Sequence, residues 1–252
     1  NFSSYLADSQ PTVLVDLDVE EPNSGLFITG TPVLSRDMFK MIPRWEQEPC
    51  TLCGQCQEVC NFNAVLKMRD MVMVFPELCH GCYACSEMCP TAALPMTEKK
   101  MGELRVSASG ALTFVESRLI IGEEQAVPLI RQTIRVTDDE INGNGEAAVV
   151  VYDSPPGTSC PVIEVVRNAD IVILVTEPTP FGLHDLKLAV ETVRELGKPF
   201  AVVLNRHGIG NDGVERYCSD EHIDIIATIP NDRKIAEAYA RGSLLYQEIP
   251  PV

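Results

Sequence analysis

Eight of the ten cysteines lie in two short runs, and no other part of the sequence carries so specific a chemical pattern. Each run has the spacing C-x2-C-x2-C-x3-C, the first from Cys50 to Cys60 and the second from Cys79 to Cys89. The second run repeats the first after 29 residues, which indicates an internal duplication. Thiolates are soft metal ligands, and the two-residue gaps present three sulfurs on one wall of a tight loop. The pattern therefore predicts metal centres, each completed by a fourth sulfur from elsewhere.

Residues 42–97, which contain both runs, resemble a bacterial-type ferredoxin with two [4Fe-4S] clusters. In two-cluster ferredoxins the last cysteine of each run ligates the other cluster. The resemblance implies that cluster one takes Cys50, Cys53, Cys56 and Cys89, and that cluster two takes Cys79, Cys82, Cys85 and Cys60. Gly54 and Gly81 are expected to let backbone amides approach the sulfides.

Structural zinc sites and disulfides use the same residue type and are the alternatives. Zinc sites usually place two C-x2-C pairs across a longer insert, and disulfides suit short secreted chains. Neither describes two runs of four, so the spacing favours iron–sulfur. One departure is Asn61, where many ferredoxins have the proline that Pro90 keeps in the second run. This departure affects a turn and removes no ligand.

The composition limits the possible partners. A chain of 252 residues is long enough for one large α/β domain with a small insert. The formal net charge of −16 disfavours binding to nucleic acid or to anionic membranes, because both require basic surface. The sequence shows no signal peptide and no apolar run of about 18 residues. We therefore expect a soluble cytoplasmic protein with no nucleic-acid partner and no membrane partner.

Apolar strands alternate with amphipathic helices around the cysteine module. This alternation predicts a doubly wound parallel α/β sheet that the module interrupts. The expected domains are residues 1–32 with 103–252, and the insert 42–97. Strands are predicted at 12–17, 104–107, 113–121, 147–152, 171–175, 200–204 and 223–226. Helices are predicted at 124–136, 183–196 and 232–241, with a short helix between residues 153 and 171.

Four segments of the α/β part resemble P-loop ATPases of the MinD/ParA/nitrogenase-iron-protein class. V-L-V-D-L-D-V-E-E-P-N at 13–23 resembles their switch I, and V-V-V-Y-D-S-P-P-G at 149–157 resembles Walker B with switch II. V-V-L-N-R at 202–206 and I-P-N-D at 229–232 resemble the elements beside the adenine. The whole chain is thus similar to MinD-superfamily ATPases with a ferredoxin insert.

The resemblance implies a site for ATP and Mg²⁺ at the carboxyl ends of the strands. Asp153 would hold Mg²⁺ through water, Asp18 would orient the attacking water, and the N–H of Gly157 would sense the γ-phosphate. The adenine side would be formed by Asn205, Arg206, Pro230 and Asp232. Plainer roles exist for the same residue types, since an acid at a strand end often caps a helix and asparagine suits turns.

Three further positions carry weaker signals. Asp16 is expected to be structural. Cys160 and Cys218 stand apart from the two runs and are expected to be buried thiols.

The phosphate loop of this class is not in the sequence, because no G-x-x-x-x-G-K-[ST] occurs and the segment 208–213 lacks the lysine. Residues 1–7 resemble the tail of an amphipathic helix, and the family places the loop just before such a helix. We therefore expect the first strand and the phosphate loop upstream of Asn1.

Two hypotheses of function follow. In the first, a dimeric ATPase, either a homodimer or a heterodimer with a related ATPase, couples nucleotide state to the clusters. It would serve electron transfer or metallocofactor assembly on a redox or metallocofactor-carrying protein partner, with switch II and the insert on the same sheet edge. In the second, the protein is a nucleotide-inactive electron carrier whose α/β domain is a docking scaffold. ParA-like positioning on DNA or membrane is disfavoured by the charge.

Overall fold

The computed structural model describes residues 1–142 and 149–248. Its first half contains α1 (Phe2–Ala7), β1 (Thr12–Asp16), β2 (Thr31–Pro43), α2 (Gln55–Glu58), β3 (Val65–Lys67), β4 (Val72–Val74), α3 (Ala84–Glu87), β5 (Met96–Ser109), β6 (Leu112–Leu119) and α4 (Ala126–Val136). Its second half contains β7 (Val149–Asp153), α5 (Cys160–Asn168), β8 (Val172–Thr176), α6 (Pro180–Glu195), β9 (Phe200–His207), α7 (Gly213–Asp220), β10 (Ile225–Pro230), α8 (Arg233–Ala240) and α9 (Leu245–Glu248).

The strands form two main sheets and a small ribbon. The five-stranded sheet has the order β2-β5-β6-β1-β7, the three-stranded sheet has the order β10-β9-β8, and β3 pairs with β4. β1 is parallel to β6 and β7, whereas β5 is antiparallel to β2 and β6. The predicted α/β class is confirmed, but the first sheet is mixed. The cause is the strand that returns from the cysteine module, which turns back into β6 through Gly110 at φ 61°.

The principal core lies between the five-stranded sheet and α4. All five residues of β1 are buried, as expected for a parallel strand covered on both faces. On α4 the predicted apolar face is confirmed, since Ala126, Leu129, Ile130 and Ile134 are buried. Residues of α4 thereby form one hydrophobic cluster with residues of β1, β5 and β6.

Most predicted elements are present, with shifted ends. α6 begins at Pro180 rather than 183, because Thr179 caps it by accepting a hydrogen bond from the Gly182 amide. The predicted strand 147–152 is observed from Val149, and its residues 147–148 lie outside the described residues. β2 and α7 were not predicted. β2 exposes most of its first half, so its apolar residues show no burial pattern to read.

The two main sheets end at β7 and β8, which are not paired with each other in the described part of the chain. β8 leaves Ile173 and Val175 41% and 63% exposed. Parallel strands are normally covered on both faces, so this stretch of the fold has apolar surface that no described element covers.

The cysteine module lies between β2 and β5 in the chain, at the end of the two-stranded ribbon that these strands form. The ribbon pairs from Thr31 opposite Ala108 to Pro43 opposite Met96, with register shifts between Pro32 and Leu34 and between Met38 and Phe39. Two further backbone bonds extend it, from the Arg44 amide to the Pro95 carbonyl and from Glu46 to Ala93. The module has a core of its own, which shares no residue with the principal core.

Candidate iron–sulfur and nucleotide sites

The two cysteine loops have matching backbone conformations at the 29-residue period. Positive φ angles occur at Leu52 and Gly81, at Gly54 and Tyr83, and at Asn63 and Ala92. Side chains other than glycine rarely adopt this conformation, and it persists only where the surroundings enforce it. The sequence indicated Gly54 and Gly81, but it gave no signal for their non-glycine counterparts.

Backbone amides point at the thiols in both loops. The Ala64 amide donates to the Cys60 sulfur at 3.3 Å, and the Ala93 amide donates to the Cys89 sulfur at 3.2 Å. These two bonds are related by the repeat. Such N–H···S bonds stabilise negative charge on thiolates and on the clusters they hold, so the residues present fit [4Fe-4S] ligation.

The four cysteines assigned to cluster two lie around one cavity. Cys60 comes from the first run, yet it lines this cavity together with the three leading cysteines of the second run, Cys79, Cys82 and Cys85. Burial, with further contributions from Cys79 and Cys60, raises the pKa of the Cys85 thiol to about 11. Cys60 therefore lies beside the three cysteines of the second run, as the ferredoxin resemblance implies for the fourth ligand of cluster two.

Cluster one is assigned less directly. Burial raises the pKa of the Cys56 thiol, and the neighbouring Cys53 and Cys50 act in the same direction, which places these three thiols near one another. The internal repeat makes Cys89 the counterpart of Cys60, and its ligation of cluster one stays a prediction. In the described residues no three His, Cys, Asp or Glu side chains converge on one metal ion. A cubane does not require this, because each thiolate binds a different iron.

A buried ion pair lies beside the cluster-two loop. Lys40 of β2 and Glu123, which precedes α4, are 4% and 1% exposed in their side chains, and their charged atoms are 2.7 Å apart. A Cβ on Gly81 would lie 2.9 Å from the Met41 carbonyl oxygen, so the loop packs directly on β2. Burial raises the pKa of the Cys79 thiol, whereas the Lys40 charge lowers it.

A second polar site lies at the carboxyl ends of β1 and β7. Asp16 is in register with Asp153 across this parallel pair. Asp16 is 1% exposed, and its carboxylate accepts bonds from the amides of Asp18, Asn23 and Ser24. Burial raises its pKa to about 6, opposed by the Ser24 bond and supported by the Asp153 charge. Asp16 thus anchors the loop that follows β1.

The expected catalytic residues surround this anchor. The Ser24 hydroxyl donates to the Asp153 carboxylate at 2.5 Å, a contact that sequence reasoning missed because 129 residues separate the two. Asp18 is half-buried on the anchored loop. Gly157 has φ 91°, and no atom lies within 4 Å of the Cβ it lacks. Asp153 and the loop that carries Asp18 therefore follow the carboxyl ends of two neighbouring strands.

The expected adenine-side residues lie at the carboxyl ends of β9 and β10. Asn205 accepts a bond from the Arg206 amide, and Arg206 has φ 52°. Pro230 is paired with His207 in the neighbouring strand. The Asp232 carboxylate accepts from the Lys234 amide at 2.8 Å and caps α8.

One expectation for the isolated cysteines is wrong. Cys218 is buried in the core under β9, as expected, but Cys160 is exposed because it begins α5 at the surface.

Among residues 1–142 and 149–248, no helix is both long and apolar enough to cross a lipid bilayer.

The insert and switch II do not share a sheet edge, contrary to expectation. β2 carries the module at one end of the five-stranded sheet and β7 lies at the other. The described contacts connect them through α4 instead. Arg131 of α4 pairs with Glu164 of α5 at 2.7 Å, and the Gln125 side chain donates to the Glu77 carbonyl at 3.0 Å.

Comparison with known proteins gives one matching domain and several relatives. A 4Fe-4S binding domain matches residues 72–94. Uncharacterized protein MJ0579 of Methanocaldococcus jannaschii is 31% identical over 96% of this chain and 83% of its own length. Uncharacterized protein MJ0578 of the same organism is 27% identical over 79% of this chain and 68% of its own length. The iron-sulfur cluster carrier protein of Pyrococcus horikoshii is 25% identical over 62% of this chain and 58% of its own length.

Solved structures show the same fold. The MinD cell division protein of Aquifex aeolicus has a TM-score of 0.52 at 16% identity, covering 98% of this chain and 81% of its own. A ParA family ATPase of Chlorobium tepidum has a TM-score of 0.54 at 13% identity, covering 100% and 84%. This chain therefore belongs to the family of MJ0579, and it combines a 4Fe-4S binding domain with the fold of MinD/ParA P-loop ATPases.

Proposed function

We propose that this protein is an ATP-dependent iron–sulfur protein that uses two [4Fe-4S] clusters to deliver electrons, or to assemble a metallocofactor, on a partner protein. The observation that carries the proposal is the position of Cys60, which leaves its own run to line the cavity of Cys79, Cys82 and Cys85. A structural zinc site gives no reason for this crossover, whereas a two-cluster module requires it. The similarity to iron-sulfur cluster carrier proteins supports the same class of function.

ATP and Mg²⁺ are assigned to the carboxyl edge of β1 and β7. We assign Asp153 to hold Mg²⁺ through water and Asp18 to orient the attacking water. The Gly157 amide would sense the γ-phosphate, and its positive φ gives that turn freedom to change conformation. Asn205, Arg206, Pro230 and Asp232 are assigned to the adenine side.

Coupling between the two sites is assigned to α4 and α5. α5 begins at Cys160, three residues after Gly157, so a change in switch II would displace its first turn. The Arg131–Glu164 pair joins α5 to α4, and Gln125 joins the start of α4 to the module. A partner docked on the module would then sense the nucleotide state. We further propose that the ATPase acts as a dimer, with a second copy or with a related ATPase.

The cluster assignment is tested by Cys60→Ala in anaerobically purified protein. We expect about eight irons per chain in the wild type, because two cubanes contain four each. Cys60→Ala should lose iron from cluster two, and Cys218→Ala, which removes a buried thiol outside the runs, should keep both clusters. Colourless protein, or zinc in place of iron, would contradict the proposal.

The ATPase assignment is tested by measuring ATP hydrolysis by the natural protein. Asp18→Asn should lower the rate of ATP hydrolysis by about 100-fold or more, as expected for loss of a group that positions the nucleophile. Asp70→Asn is the matched control, because Asp70 is exposed in the module and far from the sheet edge in sequence. Equal hydrolysis by the two variants would remove Asp18 from the mechanism.

A nucleotide-inactive electron carrier is the second candidate. The observation that favours it is that the sequence contains no G-x-x-x-x-G-K-[ST]. It predicts that full-length protein with both clusters neither binds nor hydrolyses ATP. Measured hydrolysis that Asp18→Asn abolishes would exclude it.

A further inference from the structure

Lys40 and Glu123 form a buried ion pair whose hydrogen bonding is incomplete among the described residues. Glu123 Oε1 accepts from the Lys40 ammonium at 2.7 Å and from the Gln125 amide at 3.3 Å. Glu123 Oε2 has no hydrogen-bond partner among the described residues, and the Lys99 ammonium lies 4.0 Å from it. Burying such a pair is costly, and apolar residues of similar volume often serve stability as well. The pair therefore invites a role other than stabilisation.

Lys40 is placed to act on cluster two. It precedes Met41, whose backbone is in contact with Gly81 in the middle of the Cys79–Cys82 loop. Cys79 is buried there, whereas its counterpart Cys50 in the first run is only half-buried. In this low-dielectric setting a charge acts on the loop with little screening by water.

A lysine also lies beside the loop of the first run, but its side chain is exposed. A Cβ on Gly54, in the loop of the first run, would lie 3.5 Å from the Lys67 side-chain Cδ. Lys67 is exposed on β3, so solvent and salt screen its charge. A positive charge buried away from water therefore lies beside the loop of cluster two, whereas the lysine beside the loop of cluster one is exposed to solvent.

A one-electron reduction adds one negative charge to a cluster, and a nearby positive charge stabilises that product. We propose that Lys40 gives cluster two a higher reduction potential than cluster one, so that the first electron accepted from an external donor resides on cluster two. Glu123 opposes Lys40 and holds it in place. This inference rests on the proposed two-cluster function and adds the order in which the clusters are reduced.

The test is a redox titration of the anaerobic full-length protein with dithionite and mediators, followed by electron paramagnetic resonance. The wild type should show two separate one-electron steps, and the step lost in Cys60→Ala identifies cluster two. Lys40→Met should move that step to lower potential, and Glu123→Gln should move it to higher potential. Lys67→Met, the matched control, should leave both steps in place.

The opposite signs separate charge tuning from a structural role. A purely structural pair would shift cluster two in the same direction in both variants, or lose it in both, and either result would overturn the inference. If Lys40→Met alone loses cluster two, Lys40→Arg decides, since it must retain the wild-type potential. If the two clusters share one reduction potential and Lys40→Met leaves it unchanged, the tuning by Lys40 is refuted. The proposal of two clusters is not affected by that result. An iron-free wild type would overturn the proposed function as well.

Discussion

At the scale of the residue, three aspartates of similar sequence setting have different physical roles. Asp16 is buried and anchors a loop through three amide bonds, whereas Asp18 stands on that loop with its carboxylate available. Asp153 accepts from Ser24 across the sheet edge. The sequence D-L-D at 16–18 does not show which aspartate is buried, because burial depends on packing against neighbouring strands. Burial in turn decides which carboxylate is desolvated.

Replacement of Asp16 by asparagine should change the pH dependence of stability. The folded-state pKa of Asp16, about 6, lies above its usual 3.8, so its contribution is fully present below pH 3.8 and is lost as pH rises through 6. Between pH 5 and 7.5 the wild type should lose about 1 kcal/mol that Asp16→Asn does not, or about 2–4 °C in Tm. Anaerobic thermal denaturation across this range measures the difference. A constant Tm gap between the two proteins would contradict the raised pKa.

The glycines of the two cysteine loops should differ in their tolerance of a methyl group. Gly81→Ala adds a Cβ 2.9 Å from the Met41 backbone oxygen, which cannot move aside, at φ 63°. Gly54→Ala has the same kind of φ strain, about 1–2 kcal/mol, but meets only the flexible Lys67 side chain. We expect Gly81→Ala to deplete cluster two more than Gly54→Ala depletes cluster one, as measured by iron content and cluster-specific resonance. Equal depletion would show that φ strain alone governs both loops.

At the scale of the element, α4 contacts the five-stranded sheet, the β2–β5 ribbon and α5. Its buried face packs on the five-stranded sheet, its Arg131 pairs with α5, and its Gln132 donates to the Phe39 carbonyl of the ribbon. The sequence predicted the helix and its apolar face from periodicity. It did not predict these polar contacts, because their partners lie on elements far away in the chain.

The close approach of β5 to α4 requires a glycine. A Cβ on Gly102 would lie 2.7 Å from both the Arg118 carbonyl oxygen and a Leu129 methyl. Gly102→Ala should therefore destabilise the fold by about 1–3 kcal/mol through overpacking. Gly110→Ala is the control, because at φ 61° it is strained but has open space around it, and it should cost about 1 kcal/mol. Chemical denaturation of both variants measures the order, and a smaller loss for Gly102→Ala would contradict the packing argument.

At the scale of the whole molecule, the hydrophobic core of the cysteine module is separate from the principal core between the five-stranded sheet and α4. The cluster module packs around Cys56, Val65, Val72, Cys85 and Leu94, and none of these residues belongs to the principal core. We propose that the module is an insert that the α/β fold does not need for its own stability, since domain insertions are tolerated at such exposed hairpins.

Excision of residues 44–95 should leave the α/β fold intact in the full-length protein. Pro43 is opposite Met96 in the ribbon, so a two-residue Asn-Gly turn can join them as a hairpin. We expect native helical content and a cooperative thermal transition, with loss of all cluster absorption. A protein that aggregates or unfolds without the module would show that the clusters are part of the fold.

The sequence by itself determined the class of fold and predicted the iron–sulfur chemistry, because both depend on local spacing. Cysteine intervals predict two metal-binding loops, and the periods of apolar residues predict strands and helices. Tertiary structure decided which carboxylate is buried, which sheet edge carries the insert and which lysine is shielded from water. Those properties depend on residues that are distant in the chain, such as Lys40 and Glu123, being packed together away from solvent.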